Sequence, residues 1–274
     1  MRKRLLTLAV NAVLIAAVVL HMVPIATMLL DSVRTNDDVQ RALLALPDAI
    51  TLANFASAWI DGNYAIAFLN TFIIDAGAVV VVLIVNTLDA YGLTKLPIIG
   101  RGFFLGYFVL AIAVPAFAIV VPIYFGFSAL GLVNTKQGMI LIYSAIFMPF
   151  TLLLMRSYFL GIPKDIEEAA LIDGCTHFGV LLRITLPLAA PIITTAALIV
   201  FVNSYNEFLF ANVMLQGQDT RTVALSFYNF VGEYSSDLAT IFAAALIALA
   251  PIVILYFVLQ RQFVEGMASG GLKG

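Results

Sequence analysis

The sequence predicts an all-α integral membrane protein with six transmembrane helices. Of its 274 residues, 62% are hydrophobic and only 11% are charged, whereas a soluble domain is roughly 45–50% apolar and about 25% charged. The mean hydropathy is +1.05. A soluble monomer of this length could not bury so much apolar surface, which excludes soluble enzymes. Disordered chains contain far less apolar material, and a net charge of −2 gives no reason to expect nucleic acid as a partner.

Six stretches are long enough to cross a bilayer, which requires about 20 mostly apolar residues. They lie at about residues 5–30, 65–88, 103–127, 138–158, 191–213 and 239–259. None shows the alternating ten-residue pattern of an outer-membrane strand, so a helical bundle is expected. The first stretch is too long for the apolar core of a secretory signal, and we interpret it as an uncleaved first helix.

Basic residues set the expected orientation. If the N-terminus is cytoplasmic, ten of the 14 Lys and Arg residues lie on the cytoplasmic side, and the four outside are Arg34, Arg41, Lys136 and Arg221. The positive-inside rule therefore favours both termini in the cytoplasm. The outer segments 31–64 and 214–238 are expected to be long loops.

The inner segment 159–190 predicts a short helix, a glycine break and a second short helix near the membrane face. The first helix begins at Pro163 and ends at Gly174, and the second runs from about Thr176 to Leu186. Acidic residues fill the first turn of the first helix, where the helix dipole favours them: Asp165, Glu167 and Glu168. On physical grounds alone, an ordinary interfacial helix fits the pattern as well.

The same segment carries a motif. Glu168-Ala169-Ala170, followed after three residues by Gly174 and after nine more by Ile184-x-Leu186-Pro187, resembles the EAA signature of bacterial ABC importer permeases at every position. The form Ala-Ala-x-x-Asp-Gly at 169–174 is similar to the carbohydrate-importer branch, the maltose-permease G-type subunit. Further elements of that branch are similar over nearly the whole chain: Asn54-Phe55, Asn70-Thr71, the segment 201–208 and the glycine-rich tail 263–274.

The resemblance implies a type I ABC importer permease fold in the cytoplasmic membrane of a bacterium or archaeon. Its parts would be a first helix with an outer loop (1–64), a permease core (65–260) and a cytoplasmic tail (261–274). The inner segment would dock on a separate ATPase, with the coupling residues Glu168, Ala169, Ala170, Asp173 and Gly174. The implied partners are membrane lipid, a second homologous permease, an ABC ATPase dimer and an extracytoplasmic sugar-binding protein.

Several chemistries are absent from the sequence. There is no Gly-x-x-x-x-Gly-Lys-Ser/Thr, so this chain has no P-loop. We therefore expect that it is not an enzyme, that it binds no cofactor, and that ATP and magnesium belong to the partner ATPase. A metal site is not expected either, because the only histidines and cysteine are His21, His177 and Cys175, which form no metal-binding motif.

Polar residues inside the spans are candidates for the substrate path, because intramembrane acids are costly and tend to be functional. They are Asp75 in the second span and Asn203, Tyr205, Asn206 and Glu207 in the fifth. Asn203, Asn206 and Glu207 are spaced to share one helix face, and sugars bind to such polar groups beside an aromatic ring. The pattern is equally compatible with hydrogen bonding between helices of the bundle or with a partner permease.

The outer segment 214–238 carries the aromatic residues Phe227, Tyr228, Phe230 and Tyr234. They could form an aromatic belt at the membrane interface or a docking surface for the binding protein. The resemblance favours docking.

The prediction is therefore a permease subunit that forms half of the translocation path of an ATP-driven sugar importer. The Ala-Ala-x-x-Asp-Gly form favours sugar over another solute, such as a polyamine or phosphate. Two different classes of membrane protein remain open at this point: a proton-coupled secondary transporter, which would need no ATPase, and a purely structural membrane subunit.

Overall fold

A computed structural model describes residues 2–42, 45–234 and 236–271. The described residues form helices and connections without a strand, which confirms the all-α prediction. The helices are α1 (Arg2–Asp31), α2 (Asn36–Arg41), α3 (Ala53–Asp61), α4 (Tyr64–Lys95), α5 (Arg101–Ala113), α6 (Ala116–Ala129), α7 (Lys136–Leu160), α8 (Lys164–Ile172), α9 (His177–Val180), α10 (Leu186–Leu188), α11 (Ala190–Asn206), α12 (Leu209–Met214), α13 (Val223–Glu233) and α14 (Leu238–Gly271). A π-helical turn (Leu181–Thr185) joins α9 to α10, and a 3₁₀ turn (Gln218–Thr220) precedes α13.

Up to six membrane spans follow from length and composition. Four single helices qualify over Leu6–Asp31, Tyr64–Lys95, Lys136–Leu160 and Leu238–Val258, and two bent pairs qualify together. The third predicted span is one of these pairs, because α5 and α6 meet at 101°. Val114 at the break is extended and Pro115 follows it, as expected because proline disfavours helical backbone in the residue before it.

The fifth predicted span, 191–213, is confirmed at its start and wrong at its end. The helix α11 begins at Ala190, after a bend of 77° from the stretch His177–Leu188. At the other end α11 stops at Asn206, the backbone of Glu207 is extended (φ −71°, ψ 124°), and α12 begins separately at Leu209.

The two outer segments are not the loops that the sequence predicted. The segment 31–64 contains α2 and α3, and the segment 214–238 contains α13. Phe230 on α13 is buried and stacks on Tyr234, with ring centroids 4.4 Å apart, whereas Tyr228 is 56% exposed. The four aromatics are therefore not a uniform exposed surface.

The chain divides into two compact units, and the first comprises the described residues of Met1–Ala65 and Ser226–Pro251. Its outer part is cross-linked by buried polar groups. Arg34 donates to the carboxylate of Asp31 (2.6 Å) and to the carbonyls of Ala42 and Asp38 (2.8 Å each). Asn54 donates to the carbonyls of Ser32 and Arg34 (2.8 Å each).

Tyr234 belongs to the same unit. Desolvation, the negative charges of Asp61 and Glu233, and a hydrogen bond to Asp61 raise the pKa of Tyr234 above its ordinary value. The hydroxyl therefore stays protonated at physiological pH and able to donate to Asp61, on α3.

The second unit comprises the described residues of Ile66–Leu225 and Ile252–Gly274. Two apolar clusters form its core, one around Tyr143 and Phe210 and one around Leu152 and Phe159. A buried polar tie joins α4 to α7: Asn86 donates to Thr151 Oγ1 (2.7 Å) and to the carbonyl of Met148 (3.1 Å).

The Asn70-Thr71 pair of the second unit lies near the N-terminal end of α4. Asn70 donates to the carbonyls of Asp219 (2.8 Å) and Arg221 (3.0 Å), and the Thr71 hydroxyl accepts from the Val223 amide (2.9 Å). These bonds fix the connection that leads into α13.

Candidate coupling segment and intramembrane polar cluster

The helix α8 is closed by local interactions at its C-terminal end, whereas its N-cap residue, Pro163, makes no side-chain capping hydrogen bond. At the other end the Gly174 amide donates to the Leu171 carbonyl (3.1 Å) and the Cys175 amide to the Ala170 carbonyl (2.9 Å), which is a Schellman motif. Gly174 has φ +88°, a conformation that favours glycine. The predicted helix and its glycine break are both present.

The five predicted coupling residues lie on or beside α8. Glu168, Ala169, Asp173 and Gly174 are exposed, whereas Ala170 faces inward with 8% exposure. Ile172 adds an apolar side chain that is 86% exposed.

Glu167 is buried, unlike its exposed neighbour Glu168. Its side chain is 8% exposed, and its carboxylate lies 3.1 Å from Lys95 Nζ, at the last residue of α4. Thr185 donates to the same carboxylate at 2.9 Å, and Lys95 donates to the Ile162 carbonyl at 2.9 Å. From the sequence, Glu167 is identifiable only as an acid in the first turn of the helix, and its buried contact was missed. Glu167 lies three residues before Ala170, a spacing that puts both on the inner face of the helix.

The chain continues from Gly174 into a second helical stretch. Thr176 accepts the Gly179 amide (3.1 Å) and so caps α9. The π-helical turn that follows ends at Thr185, the hydroxyl that binds Glu167. Such wide turns are frequent at functional sites. A cavity of about 190 Å³ opens between these elements and the end of α4, lined by Tyr91, Lys95, Lys164, Glu167, Glu168, Leu171 and His177.

The polar residues predicted for the substrate path are divided between two environments. Asn203 and Asn206 are exposed, and each donates to the backbone carbonyl one turn earlier, Ile199 and Val202 (2.7 Å each). Tyr205, between them in sequence, is only 6% exposed. The structure therefore places Asn203 and Asn206 on one accessible face of α11 and turns Tyr205 inward.

Glu207 does not continue that helix face, which corrects the sequence-based expectation. Because α11 has ended, its carboxylate turns to α12 and accepts the amides of Phe210 (3.0 Å) and Ala211 (3.2 Å). The Tyr143 hydroxyl lies 3.4 Å from the Glu207 carbonyl oxygen. The role visible in the structure is that of a cap for the unpaired amides at a helix start.

Asp75 lies within α4 and is fully buried. Among the described residues, neither of its carboxylate oxygens has a hydrogen-bond partner. Its polar neighbours are Tyr143 and Ser204, but the Ser204 hydroxyl donates to the Phe201 carbonyl (3.1 Å). Asp75 is thus separated from the accessible face of Asn203 and Asn206 in this conformation.

Comparison with protein families gives one match. The family model described as "Binding-protein-dependent transport system inner membrane component" matches residues 90–269, a range that includes α8 and both residues of the Lys95–Glu167 pair.

Individual proteins are similar over nearly the whole chain. The "Probable ABC transporter permease protein YurM" of Bacillus subtilis is 37% identical over 92% of this chain and 83% of its own length. The "Melibiose/raffinose/stachyose import permease protein MelC" of Bacillus subtilis is 32% identical over 95% of each chain. A chain in the crystal structure of a bacterial ABC transporter that imports the acidic polysaccharide alginate has a TM-score of 0.83 at 25% identity, over 96% of this chain and 98% of that one.

Proposed function

The chain belongs to the family of binding-protein-dependent transport system inner membrane components, and from this membership we propose that it is one permease subunit of an ATP-driven importer for oligosaccharides. The observation that carries the proposal is the surface of α8. A short helix, closed at its C-terminal end by a Schellman motif, presents Glu168, Ala169, Asp173 and Gly174 outward while Glu167 and Ala170 hold it to the rest of the second unit.

Sugar is the substrate class that the relatives support. Relatives named for a solute include the permeases for diacetylchitobiose of Streptomyces coelicolor (30% identical over 96% of this chain), for melibiose, raffinose and stachyose of Bacillus subtilis, and for arabinooligosaccharides of Halalkalibacterium halodurans (32% identical over 92%). In this chain, the amide side chains of Asn203 and Asn206 supply hydrogen-bonding groups on one helix face, which suits hydroxyl-rich ligands.

We assign the substrate path to the same residues that the sequence predicted, but we expect exposed and buried residues to have different roles. Asn203 and Asn206 would meet the sugar directly. Tyr205, Glu207 and Asp75 would line the path only when the bundle changes its opening, because the structure has Tyr205 and Asp75 buried and Glu207 engaged with α12.

The remaining parts of the machine would be separate chains. A second, homologous permease would complete the path, an ABC ATPase dimer would dock on α8, and an extracytoplasmic binding protein would deliver the sugar. ATP and magnesium would bind to the ATPase, and this chain would have no catalytic activity. It would cross the cytoplasmic membrane several times with both termini inside, which places α8 on the ATPase side.

The mechanism would be alternating access. Closure of the ATPase dimer on ATP would displace α8, and the bundle would switch its opening from the cytoplasmic to the outer side. Only a ligand with different affinity for two states can shift an equilibrium between them, so ATP must favour one opening through the α8 contact.

Transport by purified complexes tests this proposal. The chain would be co-expressed with its partner permease, ATPase and binding protein, reconstituted in liposomes, and given a panel of labelled oligosaccharides that includes raffinose and diacetylchitobiose. We expect uptake of at least one sugar only with ATP and an intact ATPase. Uptake driven by a proton gradient without ATP would contradict the proposal and indicate a secondary transporter.

A further inference from the structure

The buried ion pair between Lys95 and Glu167 joins the coupling segment to the longest unbroken element of the second unit. We propose that Glu167 is a positioning residue that transmits the displacement of α8 to α4 through Lys95, and to the start of the fifth span through Thr185. The inference rests on the proposed function, because it needs an ATPase that moves α8. Glu167 is not one of the exposed residues of the EAA motif, and its task would be to carry the movement of α8 into the helix bundle.

Apart from the ion pair, few side chains hold α8 to the rest of the second unit. Of its nine residues, only Glu167 and Ala170 are buried. Alanine contributes little apolar area, and the side chains of Ile166 and Ile172 are 45% and 86% exposed. Apolar packing alone therefore gives α8 a weak grip on the bundle, since its stabilising effect scales with buried area.

The ion pair between Lys95 and Glu167 is buried and supported by further hydrogen bonds. Both side chains are nearly inaccessible, at 5% exposure for Lys95 and 8% for Glu167. Each Glu167 oxygen has its own donor, Lys95 for one and Thr185 for the other, while Lys95 also donates to the Ile162 carbonyl just before α8. A charged pair in which both carboxylate oxygens have a donor and the ammonium has two acceptors resists separation, because breaking it leaves buried charges unpaired.

The partners of Glu167 belong to elements that extend into the helix bundle. Lys95 is the last residue of α4, a helix of 32 residues without an internal proline, which is roughly 48 Å long at about 1.5 Å per residue. Asn86, two and a half turns before Lys95, ties α4 to α7 through Thr151. Thr185 ends the π-helical turn that leads through α10 into α11. A displacement of α8 would therefore reach both α4 and α11, which carry the proposed path residues.

Distances between paired spin labels test this inference in the assembled complex. In a Cys175→Ala background, a reference label at Leu130→Cys would be paired with one on α8 (Ile172→Cys) or one on α4 (Leu88→Cys). These positions are 71%, 86% and 49% exposed. Both distances would be measured by pulsed EPR without nucleotide and with ATP, magnesium and vanadate. In the parent chain we expect both distances to change.

The decisive variant is Lys95→Met with Glu167→Leu. It removes the tie but keeps the volume, and apolar replacements of buried ion pairs are often neutral for folding. We expect the shift at Ile172 to remain and the shift at Leu88 to be lost. Lys95→Arg keeps a charged donor and is expected to keep both shifts. Asp37→Leu with Arg41→Met, an equal charge loss on the exposed α2, is also expected to keep both.

Retention of the Leu88 shift in the double variant would overturn the inference, because packing would then transmit the movement. Loss of both shifts would also overturn it, because the pair would then serve docking on the ATPase. If the double variant does not assemble, Glu167→Gln keeps the shape and removes the charge, and a full parental shift at Leu88 would again contradict the inference. No shift at either site in the parent chain would instead refute the proposed function.

Discussion

Glu167 and Glu168 are neighbours in the chain with opposite surroundings: the Glu167 carboxylate lies 3.1 Å from buried Lys95 Nζ, whereas Glu168 is open to solvent. Consecutive positions of a helix point about 100° apart, so one acid can face the bundle while the next faces outward. We therefore expect the two residues to have different roles: Glu167 would hold the helix to the bundle, and Glu168 would contact a partner.

Glu168→Lys is expected to leave the complex assembled but to uncouple it. Reversing an exposed charge costs the fold little, but it places a cation where the ATPase is expected to meet an acid. We expect the sugar imported per ATP hydrolysed to fall by about tenfold, within the range of typical coupling free energies. The matched control is Asp165→Lys, the same reversal at another exposed position of α8. Normal uptake by Glu168→Lys in vesicles would contradict the coupling assignment.

Gly174→Ala is expected to destabilise the end of α8. The space around Gly174 is open, with nothing within 4 Å of an added Cβ, but its φ is +88°. An L-residue in this region costs about 1–2 kcal/mol. Thermal unfolding of the purified complex and its coupling ratio would measure the effect.

Gly106→Ala is the control for Gly174→Ala, because Gly106 lies inside α5 with equally open surroundings. There alanine is expected to be neutral or to stabilise by up to about 1 kcal/mol. Equal effects of the two substitutions would show that the backbone conformation of Gly174 is unimportant.

Glu207→Leu is expected to lower stability as well as transport. It removes the acceptor for the Phe210 and Ala211 amides, and loss of a helix cap costs about 1 kcal/mol. Glu207→Gln keeps one acceptor oxygen in place of two and should recover part of that stability. If Glu207→Gln transports as poorly as Glu207→Leu while unfolding at the parental temperature, the charge itself acts in the path. Parental stability of Glu207→Leu would contradict the capping role.

Asn206→Leu is expected to reduce sugar uptake severalfold while leaving assembly intact, because the side chain is exposed and donates to a carbonyl of its own helix. Losing one hydrogen bond of about 1 kcal/mol to the substrate accounts for that size. Thr194→Val, another exposed polar residue of α11 that bonds to its own helix, serves as the control. A failure of assembly without a separate transport defect would assign Asn206 to packing between subunits.

Tyr228→Ala is expected to weaken the stimulation of the ATPase by sugar-loaded binding protein without altering basal hydrolysis, because Tyr228 is the most exposed aromatic of α13. Phe230→Ala is the contrast, since Phe230 is buried and its loss should lower stability by about 3–5 kcal/mol. Unchanged stimulation by Tyr228→Ala across a titration of binding protein would exclude this face from the docking surface.

The membrane spans could be predicted because long apolar stretches and helix termini depend on local sequence. The break at Gly174 and the short helix before it came from residues adjacent in the chain, and both are present. The helices of the outer segments were missed because they are short and partly polar. The end of α11 was missed because nothing in the apolar pattern marks Glu207 as extended.

The inward-facing contacts could not be predicted. The contact between Lys95 and Glu167 joins residues 72 positions apart, and such partners depend on how the helices pack. Likewise, the sequence spacing that grouped Asn203, Asn206 and Glu207 assumed one continuous helix. The residues of the substrate path are the hardest to predict from sequence, because they depend on which side chains are accessible in each conformation of the bundle.

Photo-crosslinking from α8 in living cells tests most directly whether this chain is driven by a separate ATPase. A photoreactive amino acid would replace Ile172, which is 86% exposed on α8, or, as the control, Leu130, which is 71% exposed after α6. The account predicts that position 172 captures a P-loop ATPase, identified by mass spectrometry, and that position 130 does not. An assembled complex in which position 172 captures no ATPase, or in which position 130 does, would contradict it.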